Sequence, residues 1–458
     1  MSGHTSMFPR KQIVYPALLA ALIPFLLLFV KASEIKNLHV ALTILPLLFL
    51  VVFNLRYSVF ILVLSLFINY PINVLQLSSL LIYIVILSYF ICYHDTDFRD
   101  LSNSFTIPIT IYLTLILPSF LNNQQPGYSL LFMSSLISSF ILVHLIYSSN
   151  DKRLIQLFLI WFVVFCALNG ITAVYDGLVF KKRAFGFAGI MFVDYLSVGM
   201  VITFISMLLS KKKALFITLF AFFVVCTILH QTRGVWIALS GTLLLVMLYF
   251  LIRSEEYEIS RRKILAFLIF ISLMGAGGYF LITEINPRIE QRATALKKNE
   301  IIIDQEGYID NSVVTRALIW HTAYNAFKAH PFIGIGSHSF AFQSKSYSTI
   351  TPFLYKKYVQ GVTPHGTLFA ILAEVGVIGL LGFLTLIILS LKHSFNNVRE
   401  SFKPEDKKIS VTLYFILVYI TLSMVITDAW LFGSGAILWG LVLGMTALHK
   451  KQIQLNEK

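Results

Sequence analysis

The sequence predicts an all-α fold: a polytopic transmembrane helix bundle of about twelve to fourteen spans, with one long extracytoplasmic loop containing an amphipathic helix. Composition is the first observation behind this. Of 458 residues, 57% are hydrophobic and 13% charged, with a mean hydropathy of +0.79, whereas soluble domains hold roughly 45–50% apolar and about 25% charged residues. The second is run length. Ile13 to Val30, Leu130 to Ile146, Leu215 to Ile228 and Ile264 to Leu281 approach the roughly 20 residues that cross a bilayer as helix. The third is that positive charge between the runs alternates from one loop to the next.

Apolar runs bounded by charges or turn residues give spans near 12–31, 38–54, 57–74, 76–93, 104–121, 128–148, 154–174, 187–209, 214–232, 234–252, 264–283, 365–391, 409–428 and 430–448. The first follows Arg10 and Lys11 and precedes Lys31 and Lys36 with no small-residue cleavage site, so it is expected to stay as a membrane helix. Lys152 with Arg153, Lys211 to Lys213, Arg253 with Arg261 to Lys263, Lys392 to Lys408, and Lys450 with Lys451 all fall on one side. Cytoplasmic loops are the ones enriched in Lys and Arg, so both termini are expected in the cytoplasm. This divides the chain into an N-terminal bundle over 1–283, a long extracytoplasmic loop over 284–364 and C-terminal membrane helices over 365–458.

Loops of that length in compact proteins are functional or disordered, and this one has helical order in it. Val313, Ala317, Trp320, Tyr324 and Phe327 recur at helical spacing, which predicts an amphipathic helix over roughly 312–329 lying on the membrane surface. Pro331 ends it, and Gly334 with Gly336 supplies a turn. No internal repeat or interrupted helix is evident.

Several function classes find no support. Cys92, Cys166 and Cys226 lie inside apolar runs without a paired or metal-ligand spacing, so they read as small buried hydrophobes. The formal charge of +14 is scattered between spans and forms no basic face beside aromatics, which argues against nucleic acid. No phosphate loop, nucleophile elbow or zinc-protease helix motif occurs. No carboxylates stand at metal-ligand spacing on the exterior, so a metal-independent reaction without a cofactor is expected.

The candidate chemistry is cationic. Lys181, Lys182 and Arg183 share one short outer loop, Arg233 sits at a span boundary, and Arg316 lies on the loop helix. Within 284–364, nine Lys and Arg stand against six Asp and Glu. Guanidinium groups bind phosphate oxygens in pairs and remain charged, which suits a lipid pyrophosphate. Lys181 and Lys182 are equally read as cations reaching to lipid headgroups. Arg233 lies between two strongly apolar runs, where a cation is costly and functional by default. Arg316 and Trp320 are four residues apart on one helix face, an arrangement that also suits a cation stacked on its own indole. His365, in Pro364-His365-Gly366-Thr367, is a side chain able to take a proton near neutral pH, although a lone histidine is more often structural.

Arg183-Ala184-Phe185-Gly186-Phe187, Gln231-Thr232-Arg233-Gly234-Val235-Trp236, Arg316-Ala317-Leu318-Ile319-Trp320, His330-Pro331-Phe332-Ile333-Gly334-Ile335-Gly336, Pro364-His365-Gly366-Thr367 and Ala373-Glu374-Val375-Gly376 together resemble the O-antigen ligase and O-antigen polymerase family, most closely from about Arg183 to Leu384. The resemblance implies a glycosyltransferase of the bacterial inner membrane, active in O-antigen, lipopolysaccharide or other surface polysaccharide biosynthesis. Such an enzyme moves a glycan from undecaprenyl pyrophosphate to a sugar hydroxyl of a glycan or glycolipid acceptor outside the cytoplasm. It implies that His365 is the base and that Arg183, Arg233 and Arg316 hold the pyrophosphate, with Arg316 also catalytic and Trp320 and Glu374 in support. The family pattern has Asn after the histidine, where this chain has Gly366. Direct displacement implies inversion at the anomeric carbon. The rival reading is a flippase or transporter for lipid-linked oligosaccharides, for which internal repeats and broken helices would speak.

Overall fold

The computed structural model describes residues 55–67, 102–179, 185–266, 312–427 and 433–456, with shorter stretches between them. Its principal helices are α1 (Leu55–Leu66), α2 (Thr106–Ile116, continued by a 3-10 turn over Leu117–Asn122), α3 (Pro126–Ser148), α4 (Arg153–Val179), α5 (Phe192–Leu209), α6 (Lys213–His230), α7 (Arg233–Ile252), α8 (Ser312–Ala329), α9 (Thr367–Glu400), α10 (Pro404–Met424) and α11 (Gly433–Asn456). A two-residue antiparallel pairing of Pro71–Ile72 with Leu75–Gln76 is the only sheet among the described residues. Among the described residues six helices are long and apolar enough to cross a membrane, and they coincide with predicted spans between 154 and 428. The spans expected at 12–31 and 38–54, and most of those at 76–93 and 264–283, lie outside the described residues, as do Cys92 and the loop from 284 to 311.

Local sequence sets the helix ends. Pro126 opens α3 and Pro404 opens α10, positions where the missing N–H has no helical partner to lose. Gln231 takes the left-handed conformation, φ 60°, to close α6, and α7 starts two residues later, making a tight helical hairpin. All of α5 from Phe192 to Leu208 is buried, and α4, α6, α7 and α10 pack around it, so it is the central helix of that part of the bundle. Cys166 and Cys226 are buried free thiols, as expected.

Small residues let helices approach within the bilayer, where apolar burial alone gives no drive to associate. On α11, Gly440 and Gly444 form a G-x-x-x-G face against α3. A Cβ at Gly440 would stand 2.5 Å from the Ser139 carbonyl oxygen, and one at Gly444 would stand 2.9 Å from Ile146.

The basic loops gather at one end of the bundle. Lys450 pairs with Glu400 at 2.8 Å, Arg253 with Glu256 at 3.3 Å, and Lys407 also meets Glu256. Lys451 lies over Tyr147 at 4.8 Å and Lys408 over Phe216 at 5.6 Å. The α2 terminus, the α6–α7 hairpin, the segment from 312 to 366 and the α10–α11 turn lie at the other end. This is the segregation that the charge alternation anticipates.

One helix departs from the sequence reading. Where an uninterrupted span was expected, α9 breaks at Gly376, whose φ is 65° and ψ −165°. An intact helix would pair the N–H groups of Val377 and Ile378 with the carbonyls of Ala373 and Glu374. Instead, Val377 N–H donates to the Pro331 carbonyl at 2.9 Å and Ile378 N–H to that of Phe332 at 3.1 Å. The two vacated carbonyls accept from Ile335 N–H at 3.0 Å and Gly336 N–H at 2.9 Å. The 331–336 backbone is thus spliced into the helix and leaves none of these groups unpaired, the condition for irregular backbone at membrane depth. Glycine is required on both sides of the splice. A Cβ at Gly376 would stand 2.4 Å from the Phe332 oxygen, and one at Gly334 would stand 2.3 Å from the Glu374 carbonyl carbon.

The expected helix over 312–329 is present as α8, which packs against α9 and buries Ile319, Ala323 and Ala326 in a second core with Ile335, Phe340, Tyr355, Val359 and Ala373. Tyr324, assigned to the apolar face from its spacing, is 49% exposed, and Ala317 is exposed as well. Ile319 and small side chains form the buried stripe, Trp320 and Phe327 are half-buried beside it, and Tyr324 stays outside.

Gly376→Ala should destabilise the protein by at least ~1–3 kcal/mol from backbone strain alone, with the steric clash added. Thermal unfolding of the detergent-solubilised protein, followed by size-exclusion retention, would measure this as a lowered Tm. An unchanged Tm would contradict the splice.

Candidate functional site

At the end of the bundle opposite the basic loops, four pieces of chain that are distant in sequence meet. The start of α7, the first half of α8, the Pro364-to-Thr367 turn and the α10–α11 turn make up this junction. The contacts are specific. A Cβ at Gly234 would stand 3.8 Å from Arg316 Nη1 and 2.3 Å from Ile426 Cγ2, so the Arg316 guanidinium and Ile426 both lie against the first turn of α7. One helical turn along α8 from Arg316, the Trp320 indole N–H donates to the Pro364 carbonyl at 2.9 Å. Its ring is stacked on Phe369 at 4.6 Å and 9°. The Thr367 hydroxyl donates to the Thr427 carbonyl at 2.7 Å, closing the circle.

His365 lies in this turn, exposed, with φ 53°. That left-handed conformation costs a non-glycine residue about 1–2 kcal/mol, and Trp320 and Thr367 bracket the residue that adopts it. Gly366, by contrast, is extended at φ −177°, and a Cβ there would meet the Val425 oxygen at 3.4 Å and Trp320 Nε1 at 3.6 Å. The site therefore has room for a side chain at 366 without requiring glycine.

The electrostatics favour anions. Neither α7 nor α9 has a side-chain cap at its N-terminus, and neither carries an acidic residue in its first turn. Both helices begin at this junction, so their unpaired first-turn N–H groups and positive dipole ends face one region. Arg316 adds a full charge beside the α7 terminus.

The remaining sequence candidates fall as follows. Arg233 opens α7 beside Gly234, and its side chain lies outside the described residues. Arg183, Lys181 and Lys182 also lie outside them, but the segment that follows is anchored nearby: Phe185 packs edge-on against His230 at 5.1 Å, and His230 Nδ1 is 2.7 Å from the Thr232 hydroxyl. Glu374 is buried and acts elsewhere. Its two carboxylate oxygens accept from His338 N–H at 2.9 Å and Phe340 N–H at 3.1 Å, fixing the turn that follows the spliced segment. Among the described residues no group of three or more His, Cys, Asp and Glu stands close enough to hold a metal ion.

Sequence reasoning missed two elements. Asn169, in the middle of α4, accepts from Phe187 N–H at 2.7 Å and Ala188 N–H at 3.2 Å and so holds the outer loop that carries Arg183. A polar amide inside an apolar run was the available signal. The α10–α11 turn at Val425 to Thr427 has no chemistry of its own in sequence, and only its contacts reveal it.

Residues 216–384 match the family model described as O-antigen ligase. The match runs from α6 to the middle of α9 and takes in Arg233, Arg316, His365 and Glu374, so the O-antigen ligase and polymerase resemblance read from the motifs holds over the junction itself. No curated protein matches the chain.

Glu374→Ala would strand two buried N–H groups, each worth ~1–3 kcal/mol, and should lower Tm well beyond Glu374→Gln, which keeps one acceptor; equal Tm values would contradict the capping role. Burial holds the His338 imidazole well below its ordinary value, at about 4. Because the folded value is lowered, its neutral form contributes fully above the unfolded value of 6.5 and is lost as pH falls from 6.5 towards 4. Asn tolerates the left-handed backbone at this position. His338→Asn should therefore flatten the fall in Tm over that window, and an unchanged slope would exclude His338 as its source.

Proposed function

We propose that this protein transfers a glycan from a polyprenyl pyrophosphate carrier to a hydroxyl of a second glycan or glycolipid, on the extracytoplasmic side of a bacterial inner membrane, as O-antigen ligases and polymerases do. The observation that carries the reading is that α8 bridges the two motifs such a reaction needs. Its Arg316 guanidinium abuts the Arg233-Gly234 start of α7, and its Trp320, one turn along, holds the turn bearing His365.

In this reading the donor pyrophosphate lies between Arg316, Arg233 and Arg183, beside the two uncapped helix ends. Guanidinium groups and helix N-termini stabilise the charge that grows on the leaving group as the glycosyl bond breaks. His365 takes the proton of the acceptor hydroxyl, whose oxygen attacks the anomeric carbon from the face opposite the pyrophosphate. The carbon–oxygen bond to phosphate breaks, its electron pair leaves with the pyrophosphate, and configuration inverts. The donor arrives already activated, so nucleotide and metal are dispensable. The basic loops at the far end of the bundle support the outward placement.

A transporter reading gains a broken helix from the structure, a feature of many transporter sites. The break in α9 nonetheless favours the enzyme. The N–H groups freed at Gly376 are both taken by the 331–336 backbone, and each freed carbonyl already accepts a hydrogen bond from it, so the break is used for internal packing.

With purified protein and a lipid-pyrophosphate-linked glycan donor, His365→Ala should lower the transfer rate by roughly 10²–10⁴-fold, the usual worth of a general base. Arg316→Ala should fall comparably, and Arg316→Lys should recover little because one ammonium does not reproduce the paired geometry. Undiminished yield from either alanine variant would remove that residue from the site. NMR of the new linkage should show inverted configuration; retention would refute direct displacement.

A further inference from the structure

Asp194 is a carboxylate 4% exposed at the start of the central helix α5, and neither the motifs nor the mechanism above uses it. An ionisable residue inside a membrane bundle is expensive to keep and marks function by default. Its surroundings indicate which function. One oxygen, Oδ1, accepts from the Tyr419 hydroxyl at 2.8 Å and from the Ser423 hydroxyl at 2.8 Å, both on α10 and one turn apart. Ser423 Oγ in turn accepts from the Trp430 indole N–H at 3.0 Å. The Ser423 carbonyl accepts from Ile426 N–H at 2.9 Å and Thr427 N–H at 3.0 Å. Through Ser423, Asp194 therefore grips both ends of the α10–α11 turn.

That turn stands between the two halves of the candidate site. Ile426 packs on Gly234 at the start of α7, Val425 faces Gly366, and the Thr427 carbonyl holds Thr367 at the start of α9. It therefore sets the separation between the Arg233 end, where a pyrophosphate would lie, and the His365 end, where a proton would be taken. A neutral hydroxyl in place of the carboxylate would make weaker bonds, because acceptance by an ionised oxygen roughly doubles the strength of a hydrogen bond.

We infer that Asp194 is a positioning residue of the transfer reaction, fixing the Val425-to-Thr427 turn through Ser423 so that the anion-binding and proton-accepting ends of the site stay in register. The inference rests on the transfer reading above, but its structural half stands by itself.

The test uses the full-length protein in lipid nanodiscs, with glycan transfer measured alongside amide hydrogen exchange over residues 425–431. Asp194→Ala should lower kcat on the order of 10²-fold, the scale of a roughly 1 Å misplacement, with donor KM little changed, and should speed exchange in the turn. Asp194→Asn, which keeps an acceptor oxygen, should recover much of both. Should Asp194→Ala fail to fold, Ser423→Ala and Tyr419→Phe carry the test: both remove one donor to the same oxygen, Phe keeps the ring that packs on Trp430, and only Ser423 is hydrogen-bonded to the turn, so Ser423→Ala should impair kcat and exchange protection far more. Equal effects of those two variants, or wild-type kcat and exchange in Asp194→Ala, would overturn the proposal. So would an Asn variant as inactive as the Ala variant with an undisturbed turn, since the charge itself would then be at work. If the wild-type protein transfers no glycan, the transfer reading fails, and the exchange arm alone decides whether Asp194 holds the turn.

Discussion

A peptide group inside a bilayer has no water to fall back on, and the organisation of the half of this protein opposite the basic loops follows from how it meets that constraint at Gly376. Four backbone groups released by the break in α9 are matched by four from the 331–336 strand of chain. Once that strand is committed, much else is fixed. Glu374 is turned towards the turn at 338–340, Asn122 is brought within 2.8 Å of the Gly334 carbonyl, and α8, which runs directly into the spliced segment, is laid along α9. Arg316 and Trp320 then lie where the α7 hairpin and the 364–367 turn can meet them. The position of the candidate site is a consequence of backbone accounting some distance from it.

The junction gathers positive potential from two sources of different kind. The helix ends at Arg233 and Thr367 contribute oriented dipoles that cannot move without dismantling the bundle, while Arg316 contributes a full charge on a longer, adjustable stem. Fixed dipoles suit a group whose charge develops during reaction, since no reorganisation is required at that moment. The bundle's other polar investment, the Asp194 cluster, sits directly beneath the same turn.

Six membrane helices were legible because a run of Leu, Ile, Phe and Val between charges has one solution in lipid: α4 to α7 and α10 appear within about five residues of the spans read from hydropathy, and α9 runs nine residues beyond its span. The arginine, tryptophan and histidine motifs were legible as chemistry, and their joining across α8 followed from one helical turn between Arg316 and Trp320. The break in α9 was not. Ala373-Glu374-Val375-Gly376 reads locally as helix, and its interruption depends on a partner segment some forty residues away in the chain. The partners of Glu374 were hidden for the same reason, since a carboxylate near His365 in sequence accepts from the 338–340 turn in space. The buried stripe of α8 was read only in part, because spacing identifies a face by hydrophobicity, while the packed stripe holds Ile319, Ala323 and Ala326 and leaves Tyr324 exposed. Asn169 and Asp194 were visible only as polar residues in apolar surroundings, without the contacts that give them meaning.

The indole of Trp320 has a single N–H, and the Pro364 carbonyl takes it. An aromatic residue beside a sugar-handling site is readily cast as a reader of hydroxyl patterns, yet this one has no donor left for a ligand, and Phe369 already covers one of its π-faces. Trp320 is a strut that ties α8 to the turn before α9, and on the proposed reading a sugar could meet only the other face of its ring, as an apolar surface and not as a hydrogen-bond partner.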